Sequence, residues 1–240
     1  MRVVQGLAFA VALFLVGSSV SRVAAQMDPD RVIPDGGIKV AGWTGKIDPQ
    51  SERQGRTIND AKFAQEGANF HITTGPAVTY WNPANKATGD YTVKASFNEP
   101  KFMDLNSHAH SYGIVIGGND LGTDQQSYLY CAAYGTGTFI VRGFGPAVFQ
   151  MNGRGTPSPA VHKAGAGGTA ADKGQPVAQD IAMSVKGDKV SCTINGTEVW
   201  TDTKANVVTA GKLKSTDGVY GIRFAHNTEG HVFGLTSTKP

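Results

Sequence analysis

The sequence predicts an all-β protein built as a two-sheet antiparallel sandwich, and three observations carry that reading. Between Tyr112 and Phe144 three apolar runs, 112–118, 128–134 and 138–144, are each about one strand long, rich in β-branched and aromatic residues and bounded by glycine. Glycine makes up 31 of the 240 residues without a collagen period, which marks many turns between short strands. Elsewhere short apolar segments recur between turn signals, with almost no helical periodicity.

Residues 1–25 read as a secretory signal peptide: Arg2, an apolar run over 3–16, then Val23-Ala24-Ala25, whose small residues suit cleavage before Gln26. The protein is therefore expected to be exported, secreted or periplasmic, with no membrane span after signal cleavage because no later apolar segment is long enough. Residues 26–41 contain Asp and Pro with no sustained period and read as an extended leader. A single β-sandwich domain is expected over 42–240. Its first elements are a hairpin over 62–73 that turns at Glu66-Gly67, and a strand over 76–81 closed by Asn82-Pro83. The segment 90–97 alternates Tyr91, Val93, Ala95 and Phe97 with Thr92, Lys94 and Ser96, so one face is buried and the other wet. The three central runs follow, and Gly135-Thr136-Gly137 joins the last two as a hairpin.

Over about 145–178 the pattern gives way to Gly, Ala, Pro, Thr and Lys, including Ala164-Gly165-Ala166-Gly167-Gly168. Such a stretch buries too little apolar area to offset its ordering entropy, and a long, partly mobile surface loop is expected. Strands return at 181–185 and 189–194, Asn195-Gly196 turns the chain into Glu198-Val199-Trp200, and strands at 219–225 and 231–235 complete the domain.

Removing Arg2 and Arg22 with the signal leaves 20 basic against 19 acidic side chains and no basic cluster, so no nucleic-acid partner is expected. Cys131 shares a strand face with Leu129 and Ala133, and Cys192 with Val190 and Ile194, so both point into the core. One pair in an exported chain permits one disulfide, and two buried free thiols fit the same pattern. His108-Ala109-His110 sets two imidazoles on one side of an extended segment, but no third ligand is evident nearby, and no metal is expected there. Asn119, Asp120 and Asp124 carry oxygens of the kind calcium takes, yet these are also ordinary turn residues. No cofactor is expected, calcium being the one candidate.

The pieces Gly89-Asp90-Tyr91-Thr92-Val93-Lys94-Ala95-Ser96-Phe97, Asn195-Gly196-Thr197-Glu198-Val199 and Gly218-Val219-Tyr220-Gly221-Ile222-Arg223-Phe224-Ala225-His226, with the strands at 112–118 and 181–190, carry a resemblance. They resemble the concanavalin A-like lectin/glucanase superfamily, and within it the 3-keto-disaccharide hydrolase domain family. The resemblance implies a jelly-roll sandwich with one convex and one concave sheet, and a carbohydrate-related site on or beside the concave sheet. The Glu-x-Asp-x-x-Glu strand of laminarinase-like members is absent here, which argues against a standard retaining β-glucanase.

Strand parity points to a face. If Leu129, Cys131 and Ala133 face the core, Tyr128, Tyr130 and Tyr134 stand on the other side, where Arg142 and Arg223 also fall by alternation with Val141, Ile222 and Phe224. Tyrosine offers a flat apolar ring with a polar tip and arginine a planar fork of donors, which together suit a sugar. Tyr128, Tyr130, Arg142 and Arg223, with His226 at the edge, are the expected ligand-binding residues; the same tyrosines would also serve as half-buried sheet residues. Asp90, Asp104, Asp120, Asp124 and Glu198 are available for acid/base work, but no spacing pairs two of them across a glycosidic bond. The functional expectation is an exported sandwich that binds a carbohydrate, with cleavage of a keto-sugar glycosidic bond as its extension. A non-catalytic extracellular interaction module on the same fold is the alternative.

Overall fold

The computed structural model describes residues 28–240, and the expected signal segment 1–25 lies outside the described residues. In chain order the strands are β1 (Gly37–Ile38), β2 (Thr44–Ile47), β3 (Lys62–Glu66), β4 (Asn69–Thr73), β5 (Val78–Ala87), β6 (Tyr91–Glu99), β7 (Ser111–Asn119) and β8 (Ser127–Tyr134). They continue as β9 (Thr138–Phe144), β10 (Val148–Gln150), β11 (Thr156–Pro157), β12 (Val177–Lys186), β13 (Lys189–Ile194), β14 (Thr197–Thr203), β15 (Gly218–Phe224) and β16 (Glu229–Thr238). The α-helices among the described residues are one-turn pieces, α1 (Pro49–Arg53) and α2 (Lys204–Val207). None is long and apolar enough to cross a membrane.

The strands form two sheets. One has the order β1-β3-β4-β16-β6-β12-β13-β14, and the other β10-β9-β8-β7-β15-β5-β2, with β11 also on β9. Pairing is antiparallel except for the two-residue β1, which runs parallel to β3. Late strands sit mid-sheet, β15 between β5 and β7 and β16 between β4 and β6. That wiring is the two-sheet jelly-roll sandwich the sequence predicts. The core lies between the sheets, where Leu129, Cys131, Val141, Ile222 and Phe224 from the second sheet meet Val93, Phe97, Met183 and Val190 from the first, all buried. Period-2 alternation thus places every one of the side chains that parity sent inward.

Of the two thiol states the sequence permits, the molecule has the bridge: Cys131 on β8 and Cys192 on β13 are bonded across the core, tying the sheets together. The hairpin at Asn195-Gly196 places both residues at positive φ, 49° and 81°, the conformation such a two-residue turn requires.

Three elements differ from the sequence reading. β5 does not stop at Asn82-Pro83 but runs on to Ala87. Proline is tolerated because the β5–β15 register shifts between Trp81 and Lys86, so no ladder bond is asked of Pro83. The stretch expected as a long, partly mobile surface loop over 145–178 is anchored at points: Val161 and Ala164 are buried, and the Ala164 N–H donates to the Gly135 carbonyl at 2.8 Å. Composition misjudges it because a few buried small side chains are joined by backbone bonds and by side-chain bonds from other strands, such as the Gln179 Nε2 donating to the His162 carbonyl at 2.8 Å. The leader is likewise tied down, its Asp28, Asp30 and Arg31 bonding to Ser107, Ser51 and Asn227.

Candidate functional site

The outward face of the second sheet collects the aromatic and basic residues that parity assigned to it. Tyr128 and Tyr130 on β8 and Phe144 on β9 pack with Val115, Ala132 and Ile140 as a second, smaller apolar cluster. Arg223 reaches this cluster from β15, across β7 at Gly113, its register partner. A Cβ at Gly113 would lie 1.9 Å from the Cys131 carbonyl oxygen, so only glycine lets β7 and β8 approach here, and it leaves no side chain in the arginine's way.

Arg223 is fully engaged. Its guanidinium lies 5.0 Å from the ring centres of Tyr130 and Phe144, donates to Thr79 Oγ1 at 3.0 Å and Tyr128 Oη at 3.3 Å, and pairs with Asp48 Oδ2 at 2.6 Å. Asp48 arrives from the turn after β2, just before α1, so a segment far away in sequence closes over the middle of the face. Tyr128, Tyr130 and Arg223 are accordingly 2%, 4% and 7% exposed. Burial also pushes the Tyr128 hydroxyl far above the usual phenol range.

At the two ends of this face polar groups remain open. On β9, Arg142 stands opposite Tyr130 in register, and its Nε is buried without a hydrogen-bond partner among the described residues. At the other end, a groove of about 700 Å³ runs along the edge strand β2. Lys46, Glu52, Arg56, Trp81, Leu121 and Thr123 are among the residues that line it. Lys46 pairs in register with Thr79 and Thr44 with Trp81, so the groove continues the face that holds Arg223. The sequence reading missed Lys46, Glu52, Arg56 and Trp81 because Trp81 on β5 and the 121–123 turn, which complete the groove, meet β2 only in the fold.

His226 departs from the expected grouping. The ladder between β7 and β15 ends with the Ala225 N–H donating to the Ser111 carbonyl at 2.8 Å, so the next residue on each strand, His226 and His110, emerges on the same end of the sandwich. Their ring centres are 4.0 Å apart, and His108 stands 4.3 Å from His110. Burial pushes the His110 imidazole down to about 3, and the His226 and His108 rings add to that shift. The burial of Asp30 would raise its pKa, but the bonds from His226 and Ser51 outweigh this and hold the carboxyl below its ordinary value.

The carboxylates considered for catalysis are dispersed. Asp120 faces Lys214, Asp124 faces Lys46 at 3.4 Å, Glu198 pairs with Lys189 at 2.7 Å, and Asp90 accepts from the Gly187 N–H at 3.0 Å. Of the loop residues weighed for calcium, Asp120 and Asp124 therefore already meet a lysine, while the Asn119 Nδ2 donates to the Gly117 and Asp217 carbonyls.

No protein-family model matches this sequence, and no curated protein matches it. Among solved structures, a Bacillus subtilis protein of unknown function with a galectin-like fold superimposes with a TM-score of 0.50 at 12% identity, covering 82% of this chain and 89% of that one. An endo-β-1,3-glucanase from Pyrococcus furiosus gives 0.48 at 12% identity, over 85% and 91% of the two chains. The carbohydrate-binding module CBM66 from Bacillus subtilis gives 0.47 at 10%, over 85% and 99%. The similarity is one of architecture: this chain has the galectin-like, concanavalin A-like jelly-roll fold.

Proposed function

We propose that the protein is an exported carbohydrate-binding β-sandwich whose ligand lies on the outward face of the second sheet, in the groove along β2. The observation that carries this reading is the groove itself. It lies at the β2 end of a face whose middle is filled by buried tyrosines and Arg223, and its lining combines the edge of Trp81, 5% exposed, with Lys46, Glu52 and Arg56. A sugar needs an apolar surface for its ring and directed donors and acceptors for its hydroxyls. Tyr128, Tyr130 and Arg223, being buried, support the floor from within through Thr79, and Arg142 offers a donor at the far end of the same face. Among its described lining residues Glu52 is the one carboxylate, whereas hydrolysis by two carboxyl groups needs a facing pair, so the groove favours binding over cleavage.

A glycan array followed by calorimetry on each hit tests the reading. The parent binds at least one glycan, and Lys46→Ala weakens that binding by about 1–3 kcal/mol through unpaired ligand oxygens. The Lys46 side chain is 13% exposed, so its truncation also loses stem packing, and Lys46→Gln, which keeps most of the stem, is measured beside it to separate binding from stability. If Arg142→Ala abolishes binding and Lys46→Ala does not, the ligand sits at the β9 end and the groove assignment is wrong. A parent that binds no glycan removes the carbohydrate reading altogether. Incubating the protein with oxidised and unoxidised disaccharides tests the finer reading, cleavage of a keto-sugar linkage.

A further inference from the structure

We propose that His108, His110 and His226 bind one divalent transition-metal ion of the zinc, copper or nickel class at the end of the sandwich. A nitrogen from each of the three rings lies within 4.8 Å of the other two. The pair His108-Ala109-His110 lacks a third ligand in the sequence, and the end of β15 supplies it.

Two features distinguish this trio from a chance cluster of rings. First, two of the three Nδ1 atoms face a carboxylate outside the trio: His226 Nδ1 lies 3.0 Å from Asp30 Oδ1 and His108 Nδ1 is 3.8 Å from Asp28 Oδ2, while His110 Nδ1 meets the Asn106 amide at 2.8 Å. A carboxylate or amide on the far nitrogen of a ligating histidine fixes its tautomer and orientation, and that is the usual second layer of an imidazole metal site. Second, the inner nitrogens turn toward one another, with His108 Nε2 and His110 Nε2 2.8 Å apart. Tetrahedral metal–imidazole bonds would set such nitrogens roughly 3.4 Å apart, a small widening for a ring as exposed as His108.

Asn106 bears on the same site. It is 6% exposed, and its Oδ1 is buried with no hydrogen-bond partner among the described residues. With Nδ2 toward the ring, His110 carries its proton on Nε2, where a metal would sit. Turning the amide over gives up a 3.2 Å bond to the Asn227 carbonyl and moves the unpartnered position to Nδ2, but lets the oxygen accept from His110 Nδ1–H, which frees Nε2 for the ion. His108, with about half of its side chain exposed, leaves one side of the site open to solvent.

The other imidazole cluster, Glu66, His71 and His231, is built differently. His71 Nδ1 lies 2.8 Å from Glu66 and its Nε2 2.9 Å from Glu229, so both ring nitrogens already meet carboxylates in a closed ion-pair network. It serves as the internal control.

The test titrates chelator-treated, dialysed protein with Zn²⁺ by calorimetry and with Co²⁺ by visible absorption. One ion per chain is expected, with Co²⁺ ligand-field bands. His108→Ala and His226→Ala should each weaken binding by more than the roughly 10- to 100-fold typical of losing an orienting partner, and Asp30→Asn should fall within that range. His71→Ala should leave binding unchanged. His108 is exposed enough that its variant folds, which keeps the test decisive if His226→Ala does not; circular dichroism checks each. Absence of stoichiometric binding in the parent, binding unchanged in His108→Ala, or binding lost in His71→Ala overturns the proposal.

Discussion

Replacing Glu99 by glutamine should leave stability nearly unchanged at pH 5 and raise it at pH 8. Glu99 ends β6 inside the molecule, 2% exposed; its Oε1 accepts from the Met103 N–H at a long 3.4 Å, and its Oε2 has no partner among the described residues. Burial pushes its pKa up to about 7, the Met103 bond opposing this only in part, against an ordinary value of 4.5. Because the folded-state value lies above the unfolded one, folding favours the protonated carboxyl. Its contribution is complete below about pH 4.5, shrinks as pH rises toward 7 and is gone above that. A gap of this size corresponds to roughly 3 kcal/mol. Glutamine carries no charge at any of these pH values, so the variant escapes the loss. Other carboxylates titrate identically in both proteins and cancel in the difference. Urea unfolding of parent and variant at pH 5, 6, 7 and 8 should show their midpoints diverging with pH, and melting temperatures should separate by on the order of 10 °C at pH 8. Parallel pH profiles would refute the reasoning, since they would mean that Glu99 ionises in the folded protein as easily as in the unfolded one.

The Cys131–Cys192 bridge closes a sequence separation of 61, so its loss in a Cys131→Ala/Cys192→Ala variant should cost roughly 4 kcal/mol in the chain-entropy model. Thiol titration of the unfolded, unreduced parent should find none, and two titratable thiols would contradict the bridge. Asp48→Ala strands the buried Arg223 guanidinium and should cost about 3–5 kcal/mol by urea denaturation. A loss below about 1 kcal/mol would mean that water reaches the arginine and that the face is open. Lys46→Ala on glycan binding and His108→Ala on Zn²⁺ binding complete the set, each reading out one end of the molecule independently of the other.

The sequence by itself determined which residues turn inward and which outward, because side-chain direction in a strand is a local property with a period of two. Leu129, Cys131, Val141, Ile222 and Phe224 could be placed in the core, and Tyr128, Tyr130 and Arg223 on the opposite face, without knowing which strands are neighbours. The turn at Asn195-Gly196 and the hairpin around Gly137 were legible for the same reason: a few adjacent residues set the backbone there. What covers a face is not local. Whether Tyr128 and Arg223 meet solvent depends on Asp48, 175 residues before its partner, and on the turn that carries it over the sheet. The imidazole trio is likewise invisible along the chain, since His226 meets His110 only because β15 is inserted beside β7 and their ladder ends one residue before both histidines. Alternation assigns each side chain to a face, but only the order of strands in the sheets decides which side chains on that face, or at its end, come within bonding distance.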